Sequence, residues 1–150
     1  MSDDPTAPRV PYWHLYTDDD GVSRQRLCHM TAFELESISP PADPQWLGQK
    51  HHDGMAVLFT VLPVGWVGTW HENPAPQWIV PVSGAWWVES MDGERRTFGP
   101  GEISFGEDQG TTERDGKSGH RSGTAGDEPA VLMVVQFDSE REATTPCRFG

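Results

Sequence analysis

In the stretch VGTWHENPAPQWIVPVSG, residues 67–84, a histidine, an asparagine and a glutamine stand at positions 71, 73 and 77 of a run that otherwise reads as apolar strand. Imidazole ligates transition metals well, and amide oxygens are weaker donors that leave the metal's charge uncompensated. In an extended chain alternate side chains share a face. His71 and Asn73 therefore point the same way, and Gln77 can rejoin them after the Pro-Ala-Pro turn. Three converging polar heads would hold a metal or hydrogen-bond a ligand. The same pattern also fits a strand end with a polar loop, in which Asn73 before Pro74 makes a side-chain turn.

The elements that must position these residues read as strands. MAVLFTVLP (55–63), GWVGTWH (65–71), QWIVPVS (77–83), AWWVES (85–90), RRTF (95–98), EISF (102–105) and AVLMVVQF (130–137) are short and rich in Val, Ile, Trp and Phe. Turn residues separate them, and Asp92-Gly93 reads as a two-residue hairpin turn. TAFELESI (31–38) alternates as an edge strand does, although Thr31 and Glu34 would also make a helix capping box. With 13 prolines and 16 glycines in 150 residues, long helices are excluded and an all-β sandwich or barrel is expected. Its core is placed at about 30–137, between an N-terminal arm at 1–15 and a tail at 138–150. Several strands are apolar on both faces, Trp78, Val80 and Val82 opposite Ile79 and Pro81 for example. A homodimer is expected to cover the second face.

The formal charge of −12 disfavours nucleic acid and anionic membrane surfaces as partners. No apolar stretch approaches the roughly 18 residues of a membrane-spanning helix, and no charged start followed by an apolar run marks a leader. A cytoplasmic protein with Cys28 and Cys147 as reduced thiols is expected, rather than a disulfide between them.

The spacing His71-Glu72-Asn73, three residues to Gln77, then six to Gly84, with Gly65 six positions before the histidine, resembles the first motif of the cupin superfamily. Asn73 stands where that motif has a second histidine, and Gln77 where it has glutamate. GERRTFGPGEISF (93–105) resembles the start of the second motif, with its histidine delayed to His120 by a lengthened 107–119 loop. The resemblance, over about 55–137, implies a double-stranded β-helix, or jelly-roll barrel. It also implies a divalent transition metal (Fe, Zn, Mn or Ni) held by His71, Gln77 and His120, with Asn73 a weaker ligand, and a small organic substrate.

Glu107 and Asp108 would supply negative charge if their loop folds over the mouth, and with His52 they are the candidate general bases. His51 and His52 are adjacent and face opposite sides of a strand, so at most one enters a pocket. His14 and His29 belong to no constellation. Trp66, Trp70, Trp78, Trp86 and Trp87 flank the site, either as core and dimer packing or as walls for a flat or apolar ligand. The expected activity is that of a metal-dependent oxygenase or an isomerase, cyclase or lyase. The alternative is a non-catalytic small-molecule-binding barrel with a degenerate metal site.

Overall fold

The computed structural model describes residues 6–51, 54–142 and 144–149. Eleven strands run in chain order: β1 Val10–Thr17, β2 Ser23–Met30, β3 Glu34–Glu36, β4 Gln45–Leu47, β5 Met55–Leu62, β6 Gln77–Ser83, β7 Ala85–Ser90, β8 Arg95–Phe98, β9 Ser104–Glu107, β10 His120–Ala125 and β11 Ala130–Phe137. The fold is all-β, as the strand-forming runs predict. No described helix is long and apolar enough to cross a membrane.

Six strands form one sheet in the order β2-β1-β9-β6-β11-β5, and three form another in the order β10-β7-β8. β1 and β9 pair in parallel, and the other neighbours in the large sheet are antiparallel. The two sheets face each other as a jelly roll. Between them pack Leu15, Leu62, Ile79, Leu132 and Val134 from one sheet and Trp86, Val88 and Phe98 from the other. This inward face of the large sheet is the face of Gln77, Ile79 and Pro81 on β6, and of Leu132, Val134 and Gln136 on β11. A register shift between Val131 and Leu132 lies opposite Pro81, whose ring nitrogen has no hydrogen to give the ladder.

The arm expected at 1–15 is, from Val10, an inner strand of the large sheet, and β2 was not anticipated. GWVGTWH is no strand: only Val67 and His71 make isolated bridges, to Gly123 and His120. The Asp92-Gly93 hairpin joins β7 to β8 through a longer loop, with Gly93 but not Asp92 at positive φ.

The outward face of the large sheet is covered from an unexpected quarter. Tyr12, Phe105 and Phe137 form a second apolar cluster with Trp78 and with Phe149 of the C-terminal tail. The reduced thiols expected from sequence are corrected as well, because Cys28 on β2 and Cys147 in the tail form a disulfide. β2 is the second strand and the tail follows the last, yet the fold brings Cys28 and Cys147 together across 119 positions of sequence. The tail covers β1, β9 and part of β6, while Val57, Phe59 and Val61 on β5 stay exposed.

Candidate functional site

β6, β9 and β11 bring to one end of the barrel the starts or ends from which Gln77, Asp108 and Gln136 project. His71 and His120 exchange both backbone hydrogen bonds, each 2.9 Å, as opposed residues of an antiparallel pair. Their side chains therefore leave on one side, and the rings lie 4.7 Å apart. Gly119 makes this approach feasible: at φ +60, a Cβ there would lie 2.2 Å from the His71 carbonyl oxygen. Glu72 accepts hydrogen bonds from the Thr111 N–H and hydroxyl, and Gln109 donates to the Asn73 carbonyl, which ties the long 107–119 loop beside the histidines.

Asp108 organises what lies behind them. One of its oxygens accepts from the backbone N–H and side-chain amide of Asn73, at 2.9 and 2.8 Å, and the other accepts from His120 Nδ1 at 2.7 Å. Asn73 Oδ1 then accepts from Gln77 Nε2 at 2.6 Å, and Gln77 Oε1 from Gln136 Nε2 at 3.0 Å. Five side chains thus form one relay, and Gly106, where a side chain would collide with the Asn73 amide, leaves room for it. His71 gives its Nδ1–H to the Thr69 carbonyl at 2.8 Å. With both Nδ1 atoms donating, each ring in its neutral form has its lone pair on Nε2, and neither Nε2 has a partner among the described residues.

Burial would raise the pKa of Asp108, but attraction to His120 and hydrogen bonds from His120 and Asn73 outweigh it and hold the carboxyl below its ordinary value. A folded-state pKa below the unfolded value stabilises the fold above the unfolded pKa, which is about 4, and that contribution is lost as pH falls through the folded one. Thermal melts from pH 7 to pH 2 should therefore show wild type losing stability below about pH 4 more steeply than Asp108→Asn. Parallel profiles would contradict this assignment.

The sequence candidates divide. His71, Asn73, Gln77, His120 and Asp108 come together. Glu107 does not, because alternation sends it to the opposite face of β9, where the tail buries it. There it accepts from His14 Nε2 at 2.9 Å and pairs with Arg148 at 3.2 Å. His52 lies outside the described residues. The tryptophans are engaged elsewhere: Trp86 is core with Trp66 packed against it, Trp78 packs against Phe149 outside the sheet, and Trp70 and Trp87 carry arginine on their faces. Sequence reading missed the buried His14–Glu107–Arg148 cluster, since residues 14, 107 and 148 share no motif. The one available signal is strand alternation, which sets His14 on the face of Tyr12 and Tyr16.

The expected metal can be judged by its donors. Catalytic zinc sites, the nearest pattern for such a metal, generally use three protein ligands. Here the two imidazoles offer Nε2, but the amides of Asn73 and Gln77 are spent on each other, on Asp108 and on Gln136. Among the described residues no group of three His, Cys, Asp or Glu side chains could hold a metal ion. The residues present therefore do not fit a centre built from His71, Asn73, Gln77 and His120.

No protein-family model matches the chain, and no curated protein matches it. Among solved structures, protein NMB1881 from Neisseria meningitidis is 18% identical, with a TM-score of 0.42 over 60% of this chain and 79% of its own. A "putative mannose-6-phosphate isomerase" from Ralstonia eutropha JMP134 is also 18% identical, with a TM-score of 0.34 over 93% of this chain and 94% of its own. At these scores the likeness carries nothing about chemistry.

Proposed function

We propose that the chain is a cupin-type jelly roll that binds a small organic molecule at the His71–His120 end of the barrel and exchanges a proton with it through His120. The observation behind this reading is the Asp108–His120 couple. A buried carboxylate on Nδ1 fixes the tautomer and leaves the Nε2 lone pair as an oriented base, and Asp108 positions that base without touching the ligand. The test is deuterium uptake from heavy water into an acidic C–H bond of a small 1,3-dicarbonyl probe by chelator-treated protein. Uptake above background, lost in His120→Gln and reduced in Asp108→Asn, is expected. Uptake equal in His120→Gln and wild type would overturn the reading.

The metal-dependent alternative also has an observation in its favour. A metal-bound histidine commonly gives its other N–H to a carboxylate or backbone carbonyl, and His120 and His71 do so. In that reading the two Nε2 atoms would hold a divalent transition metal (Fe, Zn, Mn or Ni), and the metal would polarise the substrate. Activity that appears only on metal loading, with about one metal per chain removed by His71→Ala, would favour it.

Two expectations about setting remain proposals. The cytoplasmic placement rested on reduced thiols together with the want of a leader-like start or a spanning-length apolar run, and the Cys28–Cys147 bridge weighs toward an oxidising compartment. The homodimer is placed on β5, which has no charged residue and presents Val57, Phe59 and Val61 outward. In a chain of charge −12, two copies meet there with least repulsion. Sedimentation velocity should give a dimer, converted to a folded monomer by Phe59→Glu; a wild-type monomer would remove this part of the account.

A further inference from the structure

The relay has a direction, and the direction says what its far end can bind. Asp108, ionised, can only accept, so Asn73 must turn its amide nitrogen toward it and present Oδ1 to the next residue. Gln77 must then donate Nε2 and present Oε1, and Gln136 must do the same. One buried anion thereby fixes the orientation of three amides. The series ends on Gln136 Oε1, an acceptor with no partner among the described residues.

Gln136 lines an open groove of about 440 Å³ at the same end of the barrel. Met55, Ala56, Ala75 and Phe137 give the groove apolar walls, and among the described residues the other acidic or amide side chain on it is Asp138. The Asp138 N–H donates to the Gly54 carbonyl at 2.7 Å, which seats the carboxylate at the groove's edge. Both polar side chains accept and neither is cationic. The surrounding protein carries a formal charge of −12, which favours cations at such a cleft. A few acceptors set among apolar walls is the usual make-up of a small-ligand pocket.

We propose that this groove binds a small alkylammonium, with N–H groups donated to Gln136 Oε1 and to the Asp138 carboxylate and a short chain against Met55, Ala56 and Phe137. Anions and donor-free ligands are rejected, because the amide of Gln136 cannot turn over without breaking the relay to Asp108. Neither metal nor turnover is required, so the proposal stands or falls separately from the chemistry assigned to His120.

The probe is n-butylammonium, titrated into the full chain and followed by the NMR signals of the Gln136 side-chain amide and the Asp138 backbone N–H. Saturable binding is expected, with butyrate giving none. Asp138→Asn, at an exposed position, should weaken it about tenfold, the loss of one charge-assisted contact. Gln136→Leu, checked for folding by circular dichroism, should weaken it at least as much. Absence of saturable binding, equal binding of butyrate, or unchanged affinity in Asp138→Asn would overturn the proposal.

Discussion

Replacing Cys28 and Cys147 together by serine is expected to lower unfolding stability by about 3–4 kcal/mol, and the melting temperature by roughly 10 °C. The bridge joins residues 119 apart in sequence, and closing so long a loop removes much of the entropy of the unfolded chain. Other anchors hold the tail in the folded serine variant, so the loss should come mainly from the freed unfolded chain. The Cys147 N–H donates to His14 Nδ1 at 2.9 Å, the Phe149 N–H donates to the Tyr12 hydroxyl, and the Phe149 ring packs on Trp78 and Phe105. The comparison is made by denaturant titration of oxidised wild type and the double serine variant. A loss below about 1 kcal/mol would mean that the bridge does little to hold the tail.

Glu107→Gln is expected to cost about 3 kcal/mol, because it removes the charge facing an Arg148 that is itself only 11% exposed. Glu107 is a hub: it accepts from His14 Nε2, pairs with Arg148 and accepts from the Glu142 N–H. The Cys147 N–H already occupies His14 Nδ1, so the ring donates from Nε2, and the NH2 of a glutamine would face a donor whichever way it turned. Glu142 retains its contact with Arg148 at 2.8 Å, which places the cost at the low end for a broken buried pair. Equilibrium unfolding should show the loss, and limited proteolysis should show cleavage in the tail before the barrel. If the variant is as stable as wild type, the cluster does not anchor the tail. Because Glu107 faces away from His120, the same substitution should leave deuterium uptake by folded protein intact.

Much of the barrel was legible because its strands carry their signal locally. Gln77–Ser83, Ala85–Ser90 and Ala130–Phe137 were delimited as observed, since β-branched and aromatic runs end there at Gly or at turn residues. β1 and β2 were not, because SRQRLCHM has little apolar alternation and takes its strand form from pairing with β1 along its whole length. At the site, the spacing of His71, Asn73 and Gln77 foretold convergence, and the delayed His120 arrived across a single backbone bridge. The spacing did not foretell how the amides would be used. Whether Gln77 faces a metal or a neighbouring amide depends on Asp108 and Gln136, which lie just past β9 and on β11. Glu107 and Asp108 are adjacent, yet strand alternation sends one beneath the tail and the other into the barrel, so their shared charge in the sequence corresponds to two separate sites.

The central claim is that Asp108 holds His120 so that its Nε2 is the oriented base at the barrel mouth. Long-range proton–nitrogen correlation of the histidine rings in chelator-treated protein at neutral pH measures it directly. The account predicts a neutral His120 with hydrogen on Nδ1 and a lone pair on Nε2, and loss of this single tautomer in Asp108→Asn. A His120 carrying its lone pair on Nδ1, or a tautomer unchanged by Asp108→Asn, would contradict it.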